Sequence, residues 1–213
     1  LYTDFSVAYR YYHELGYDVL GVFQRGHGFS EGKYISYGIR ERYDCQSWAY
    51  YVSQRFGPDR DIFLGGLSMG ASTVLMATGL ELPANVRGVI ADFGFTSPRE
   101  EFCPVLKRVH LPRWPFIAIE NALVKRFAGF GFDDYSTLEA MKTNRLPILF
   151  IHGGADDFVP TEMSRRNYAA CRAEKELVIV EGAGHGVSYL EDMPRCQEAL
   201  SRFLKQWGTA GKQ

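Results

Sequence analysis

One short segment of the chain carries the pattern of a nucleophilic serine. Residues 66–70 read G-L-S-M-G, which fits the pattern G-x-S-x-G with Ser68 at its centre. An apolar strand-like segment precedes it and a helix-like segment rich in small residues follows it, so the chain must turn sharply at Ser68. Such a turn predicts a positive φ for the serine, small residues two positions to either side, and an exposed hydroxyl. The alternative is a glycine-rich turn in which Ser68 only caps the helix.

A serine hydroxyl needs a base to become a nucleophile, and histidine is the usual one. The chain has five histidines, which are His13, His27, His110, His152 and His185. Residues 182–186 read G-A-G-H-G after the last predicted strand, so the flexible loop lets His185 reach Ser68. His152 ends a predicted strand and is interpreted as structural, whereas His110 is a candidate for substrate contact.

The carboxylate that orients the base should also follow a strand, because parallel sheets collect their chemistry at the carboxyl ends of the strands. Three aspartates meet this condition: Asp92 follows the third predicted strand, and Asp156 and Asp157 follow the fourth. With each of them the order along the chain is serine, aspartate, histidine. This order differs from the two common serine-protease arrangements.

The helix that is predicted to begin at Met69 adds a donor to this group. Amides in the first turn of a helix have no partner within the helix, and the helix dipole favours negative charge there. The Met69 N–H is therefore a predicted oxyanion donor. Acyl transfer by such a site requires neither a metal ion nor an organic cofactor.

The composition restricts the other classes of function. The chain has 213 residues, of which 46% are hydrophobic and 23% charged, and this suits one globular domain. A net charge of -1 offers no basic surface for nucleic acid or anionic membranes. No apolar run approaches the roughly 18–20 residues that span a bilayer. The four cysteines form no C-x-x-C pair, which argues against zinc and predicts buried free thiols and a cytoplasmic location.

Strand-like and helix-like segments alternate, which predicts an α/β fold with a mostly parallel sheet and helices on both faces. The predicted strands are residues 18–23, 62–65, 86–91, 148–151 and 177–180. The predicted helices cover about residues 3–15, 39–56, 69–80, 162–171 and 191–207. Residues 1–92 and 147–207 are the predicted core, and residues 208–213 are a predicted disordered tail.

The segment 93–146, between the third and fourth predicted strands, is much longer than the usual connection. We predict a small helical cap inserted over the carboxyl end of the sheet. One crossover helix with long loops is the alternative. Trp114 and Phe116 of this segment, together with Phe158 and Val187 of the loops that follow strands, are the predicted substrate contacts. Packing of the aromatic side chains of the cap onto the core is the other interpretation.

Four motifs together resemble those of the α/β-hydrolase superfamily, and within it the bacterial S9-peptidase-like hydrolases and esterases. Residues 24–32 (QRGHGFSEG) resemble the D-x-R-G-x-G-x-S loop after that family's fourth strand, and residues 66–70 resemble its nucleophile elbow. Residues 152–160 (HGGADDFVP) match H-G-x-x-D-x-x-V-P, and residues 184–186 match the catalytic histidine loop. The resemblance covers nearly the full chain. It implies Asp156 as the acid, with Asp157 at a variable position, and a cap between the sixth and seventh strands.

The sequence departs from the family pattern in two places. Phe23 stands where the loop normally begins with aspartate, so we expect a changed loop and an intact triad. By the resemblance residues 18–23 are the fourth strand, so the first three strands and the loop that supplies a second oxyanion N–H are missing. We therefore expect an N-terminally truncated α/β-hydrolase fold. Three sources could complete the sheet: a preceding segment of a longer protein, a separate chain, or an oligomer partner. We prefer the first.

These observations lead to three hypotheses about function. The first is hydrolysis of a small carboxylic ester by Ser68, His185 and Asp156 through an acyl-enzyme intermediate. The second is hydrolysis of a short peptide by a serine peptidase of the prolyl-oligopeptidase-like type. The third is a non-catalytic module that keeps the fold, which the complete motifs argue against and the truncated start argues for.

Overall fold

A four-stranded parallel sheet forms the centre of the molecule. The computed structural model describes residues 6–108 and 110–209. The strands are β1 (Ile62–Leu67), β2 (Val86–Asp92), β3 (Ile148–Gly153) and β4 (Lys175–Val180), and they lie in the order β1-β2-β3-β4. Each neighbouring pair is parallel, so all four carboxyl ends meet at one edge of the sheet. The predicted parallel α/β fold is confirmed.

Helices cover both faces of the sheet. In the part of the chain that the structure describes, the helices are α1 (Ser6–Glu14), α2 (Glu41–Phe56), α3 (Met69–Ala77), α4 (Pro98–Arg108), α5 (Arg113–Ala128), α6 (Thr137–Thr143), α7 (Thr161–Ala170), α8 (Ser188–Glu191) and α9 (Met193–Trp207). The buried residues of α2, α3 and α6 pack in one apolar cluster on one face of the sheet. On the other face, α9 forms a second cluster, and tyrosines of α1 pack against it.

The central strand β3 shows how the sequence pattern produces these two layers. All six of its residues are buried, as expected for a strand covered on both faces. Ile148 and Phe150 belong to the cluster with α3, whereas Leu149 and Ile151 belong to the cluster with α9. Because side chains alternate across a strand, one apolar run supplies both layers of the core.

The prediction of a strand at residues 18–23 is wrong. This segment has no strand assignment, and Val19, Leu20 and Val22 are 43%, 51% and 38% exposed. An apolar run becomes a strand only where another strand pairs with it, and among the described residues β1 is an edge strand paired with β2 alone. The other four predicted strands are confirmed, and each extends one or two residues further than predicted.

The segment between β2 and β3 contains three helices. Helices α4 and α5 contact each other and share a small apolar cluster with Ile39 of the loop before α2. Helix α6 packs instead against α3 and α7, which belong to the main layers. A separate cluster of α4 and α5 is what a cap would form, and the division of the chain at residues 93–146 stays a prediction.

The first residues of the predicted tail are hydrogen-bonded to the main body. Gly208 and Thr209, the first residues of the predicted tail, are held by hydrogen bonds to the Leu204 carbonyl (2.8 Å) and the Asp61 carboxylate (2.7 Å from the Thr209 hydroxyl). Residues 210–213, and the start of the first predicted helix at residues 3–5, lie outside the described residues.

The four cysteines, Cys45, Cys103, Cys171 and Cys196, are buried and unpaired, as predicted. None of the described helices has the length and apolar character needed to cross a bilayer.

Candidate active site

Ser68 occupies the sharp turn between β1 and α3. Its φ is 54° and its ψ is -116°, so the predicted positive φ is confirmed. The strained backbone is held by a 2.7 Å hydrogen bond from the Ser68 N–H to the carbonyl of Asp92 at the end of β2. The Ser68 side chain makes no capping bond to α3, which contradicts the alternative that it only caps the helix. Its hydroxyl is therefore available for other partners.

The two glycines of the motif differ in how closely the turn surrounds them. A Cβ on Gly66 would lie 2.3 Å from the backbone carbon and oxygen of Gly70, a distance that no real structure tolerates. A Cβ on Gly70 would meet no atom within 4 Å. The prediction that a small residue is required is therefore confirmed at Gly66 and wrong at Gly70, because only the strand side of the turn faces the helix backbone.

Alanine substitution at the two positions should separate these effects. We expect Gly66→Ala to lower the free energy of unfolding by about 2–3 kcal/mol, because the added methyl group must push the backbone of α3 away. Gly70→Ala is the matched control and should change the free energy of unfolding by less than about 1 kcal/mol. Urea denaturation measures both. Equal losses in the two variants would show that the turn is not crowded on one side.

The loops after β3 and β4 bring a histidine and an aspartate to Ser68. His185 Nε2 lies 3.0 Å from Ser68 Oγ, and His185 Nδ1 lies 2.7 Å from Asp156 Oδ2. With the Nδ1–H donating to the carboxylate, the free lone pair of Nε2 can accept the Ser68 proton. Gly182 and Gly186 adopt φ values of 79° and 76°, and this left-handed backbone gives the histidine loop its path back to the elbow.

Asp156 is 8% exposed and is surrounded by donors. Oδ1 accepts the backbone N–H groups of Phe158 and Val159, both at 2.9 Å, and Oδ2 accepts from His185 and from His152 Nε2 at 3.2 Å. Burial alone would raise the pKa of Asp156. The hydrogen bonds from His152, His185 and Val159 outweigh burial and hold that pKa well below its usual range. The carboxylate therefore stays ionised at neutral pH.

The other two candidate acids have different surroundings. Burial, with a smaller contribution from the charge of Asp156, raises the pKa of Asp92 well above its usual range. Its carbonyl, rather than its carboxyl group, contacts the elbow. Asp157 is exposed. Of the three aspartates, the structure places Asp156 on His185.

His152 has a role that the sequence interpretation did not specify. It is completely buried, and its Nδ1 lies 2.6 Å from Ser164 Oγ while its Nε2 lies 2.9 Å from the carbonyl of Val159. A carbonyl oxygen can only accept a hydrogen bond, so the proton of His152 lies on Nε2. The same Nε2 also faces Asp156. His152 is structural, as interpreted, and it also orients the acid. The signal was its position four residues before Asp156 in a tight turn.

Met69 is the first residue of α3, so its N–H has no carbonyl four residues earlier in the helix. The start of α3 is fixed by Ser72, whose Oγ accepts the N–H of Phe95 at 2.8 Å and donates to the Phe95 carbonyl at 3.0 Å. The side chain of Met69 packs against a small cluster that includes Phe95 and Tyr37. The role of the Met69 N–H as an oxyanion donor stays a prediction.

The four predicted substrate contacts differ in how they are placed relative to Ser68, His185 and Asp156. The ring of Phe158 lies 5.0 Å from the ring of His185 and is 39% exposed, so it forms an open wall beside the base. Val187 packs against the core at the start of α8. Trp114 and Phe116, at the start of α5, are 79% and 41% exposed, and no described contact joins them to the triad. All four stay predictions.

A cavity of about 520 Å³ lies between α4 and the loop that carries Asp156. It is lined by Cys103, Pro104, Lys107, His110, Arg113, Asp157 and Pro160. His110, the histidine considered for substrate contact, is thus part of this cavity and not of the triad. Among the described residues, no group of three histidine, cysteine or acidic side chains is arranged to hold a metal ion.

A parallel sheet with a strained serine at one strand end, and a histidine and an aspartate at two others, is the arrangement of the α/β-hydrolase class. The chain belongs to the prolyl oligopeptidase family, whose family model matches residues 6–210.

Individual relatives match most of this chain. The chain is 31% identical over 192 residues to the uncharacterized protein YqkD of Bacillus subtilis, a match that covers 90% of this chain and 63% of that protein. It is 27% identical over 215 residues to the lysophosphatidylserine lipase ABHD12 of Danio rerio, which covers 92% of this chain and 53% of that protein. The chain thus spans less than two thirds of the length of either relative.

Solved structures show the same fold. The esterase Pf2001 of Pyrococcus furiosus superposes with a TM-score of 0.72 at 21% sequence identity. That superposition covers 94% of this chain and 74% of the esterase. It supports the α/β-hydrolase fold of the chain.

Proposed function

We propose that this protein hydrolyses small carboxylic esters by acyl transfer through Ser68, His185 and Asp156. The observation that carries the proposal is the continuous line of hydrogen bonds from Ser68 Oγ to His185 Nε2 (3.0 Å) and from His185 Nδ1 to Asp156 Oδ2 (2.7 Å). The proposed nucleophile, base and orienting acid thus lie within hydrogen-bonding distance of one another.

The proposed reaction has two halves. In the first, Ser68 Oγ attacks the ester carbonyl carbon while its proton moves to His185 Nε2, and the Met69 N–H donates to the oxyanion. The tetrahedral intermediate then expels the alcohol, which takes the proton from His185. In the second half, a water molecule gives a proton to His185 and attacks the acyl-enzyme, and His185 returns the proton to Ser68 Oγ as the carboxylic acid leaves. Asp156 stays ionised throughout and stabilises the imidazolium.

Two observations favour an ester as the substrate. The structural neighbour Pf2001 is described as an esterase, and the relative ABHD12 is described as a lysophosphatidylserine lipase. Phe158 adds an apolar wall beside His185, which suits an acyl or alkyl group. The description of the prolyl oligopeptidase family favours hydrolysis of a short peptide as the second candidate.

We further propose that a segment outside the described residues pairs with the free edge of β1 and supplies a second oxyanion donor. The length of the relatives supports this, since the chain spans 63% of YqkD. A strand paired in parallel with β1 would end beside Ser68, where that donor is needed. A cytoplasmic location belongs to the same proposal, and the four buried free thiols support it.

The test is hydrolysis of p-nitrophenyl esters of increasing acyl length beside a set of dipeptide p-nitroanilides. Ester hydrolysis with an optimum of chain length supports the proposal, and hydrolysis of the anilides alone supports the peptidase. A fluorophosphonate probe followed by peptide mass spectrometry should locate the label on Ser68. A label on another serine contradicts the proposed nucleophile. Absence of both label and hydrolysis would favour a non-catalytic module.

A further inference from the structure

Three basic side chains line the cavity between α4 and the loop that carries Asp156. They are Lys107 in the last turn of α4, His110 just after that helix, and Arg113 at the start of α5. All three are exposed to solvent. Asp157 is the acidic residue among the described lining residues. The cavity therefore presents more positive than negative charge to a ligand that enters it.

Neither Lys107 nor Arg113 forms an ion pair with a residue in the ranges 6–108 and 110–209. Other cations of the same two helices do, since Arg99 of α4 and Lys125 of α5 each pair with an aspartate. Positive charges that line one cavity without a counter-ion repel one another and concentrate a positive potential there. An anion that enters the cavity removes this repulsion.

Glu100 of α4 does not serve as that counter-ion. The charge of Arg113 acts on its carboxylate, but no ion pair joins the two described residues. Glu100 instead accepts hydrogen bonds from Arg166 Nη2 at 3.1 Å and from the Thr96 hydroxyl at 2.7 Å. Arg113 is therefore left with its charge directed at the cavity that it lines.

The cavity shares a wall with the candidate active site. Asp157 and Pro160 line the cavity, and Phe158 between them has its ring 5.0 Å from the ring of His185. Neighbouring Cα atoms in a chain lie about 3.8 Å apart, so the two walls are built from adjacent residues of one loop. Because Phe158 is 39% exposed, a ligand that extends past its ring has one end in the cavity and the other beside His185.

The size of the cavity indicates how large a ligand it accepts. Its volume of about 520 Å³ falls within the range of roughly 300–1,000 Å³ that small-molecule sites occupy. A single carboxylate or phosphate group is much smaller than this space. The cavity therefore suits a molecule in which the anionic group is one part of a longer chain.

We propose that this cavity binds an anionic group of the ester substrate, with Arg113 and Lys107 as the specificity-determining residues. The inference rests on the proposed ester hydrolysis and narrows its substrates to esters that carry a negative charge several bonds from the ester carbonyl. The planar guanidinium of Arg113 can donate two parallel hydrogen bonds to a carboxylate or phosphate, and Lys107 adds a point charge. His110 offers a ring N–H in either tautomer.

The test compares monoethyl esters of adipic, suberic and sebacic acid with the ethyl esters of alkanoic acids of equal chain length. The measured quantity is the ratio of kcat/KM for the anionic ester to kcat/KM for its neutral partner, determined from ethanol release at pH 8. We expect a ratio above one for the wild type. Arg113→Gln should lower the ratio by about 10- to 50-fold, because charge-assisted hydrogen bonds are lost. Adding Lys107→Met should lower it by a further two- to fivefold.

Arg126→Gln is the matched control, since it removes the same charge from the same helix. Arg126 is exposed, lies over the ring of Phe127 and does not line the cavity. Its replacement should change the ratio by less than about twofold, because salt screens a charge outside the cavity. Arg113→Lys keeps the charge and should stay within about threefold of the wild type. All these side chains are exposed, so each variant should keep Tm within about 2 °C of the wild-type value.

Binding to the Ser68→Ala protein gives a second readout that needs no turnover. Isothermal titration with monoethyl suberate should show a Kd about 10- to 50-fold higher when Arg113→Gln is added, and an unchanged Kd when Arg126→Gln is added. Hydrolysis of both esters with the same ratio in wild type and Arg113→Gln overturns the inference and leaves the proposed function intact, even if inorganic phosphate binds to the cavity. Hydrolysis of neither ester by the wild type, with binding that still depends on Arg113, overturns the proposed function and supports the anion site.

Discussion

Replacement of Ser68 by alanine is expected to lower kcat/KM for p-nitrophenyl butyrate by about 10⁴- to 10⁶-fold. In the proposed reaction the hydroxyl oxygen of Ser68 attacks the carbonyl, and no other hydroxyl contacts His185 Nε2 among the described residues. Water could still react in the remaining site, so the loss should stop above the uncatalysed rate. Initial rates at substrate concentrations well below KM measure the effect directly.

The Ser68→Ala protein must be shown to fold. Alanine at a φ of 54° keeps the backbone strain of the elbow, so its Tm should stay close to the wild-type value. Labelling by the fluorophosphonate probe should disappear at the same time. A variant that folds and still labels or hydrolyses the ester within tenfold of wild type would exclude Ser68 as the nucleophile.

The second large effect is expected for Asp156→Asn, which should lower kcat by about 10⁴-fold. An asparagine amide can donate to His185 Nδ1, and this favours the tautomer with the proton on Nε2, which cannot accept the proton of Ser68. Asp157→Asn is the matched control, since it changes the same charge one residue away on an exposed side chain, and should alter kcat by less than about threefold. A larger loss in Asp157→Asn than in Asp156→Asn would reverse the assignment of the acid.

The difference in stability between wild type and Asp156→Asn should depend on pH. The pKa of Asp156 is lower in the folded protein than in the unfolded chain, so ionised Asp156 stabilises the fold above the unfolded value of about 3.9. This stabilisation is lost as the pH falls toward the folded pKa. The difference in unfolding free energy between wild type and Asp156→Asn should therefore be largest near neutral pH and decrease below about pH 4.

The elbow could be predicted in detail because its geometry is local. A strand, a sharp turn and a helix within a few residues fix the φ of Ser68 and the crowding at Gly66, and the sequence shows all three elements. The choice among Asp92, Asp156 and Asp157 is different. Residue spacing left all three open and only the family resemblance selected one, because the backbone donors of Phe158 and Val159 that hold Asp156 appear only in the folded loop.

Errors arose where the outcome depends on distant parts of the chain. Residues 18–23 have the composition of a strand, yet strand pairing is decided by a neighbour that the local pattern does not contain. Whether a side chain fits at Gly70 depends on the space around the turn, and this space depends on how α3 packs. Glu101 of α4 is a further case, since a glutamate on a polar helix is expected to face water, yet it is only 7% exposed.

The hydrogen bonds of the triad join positions 117 and 29 residues apart in the chain, and they start from the ends of three different strands. In the proposed function, catalytic activity therefore depends on the whole sheet at once, and detachment of any one of these strands should abolish it. The reverse also holds, since a covalent inhibitor on Ser68 that touches His185 would hold two strand ends together and would shift the folding equilibrium toward the native state. Under the proposed function, ester hydrolysis would thus report directly on cooperative folding.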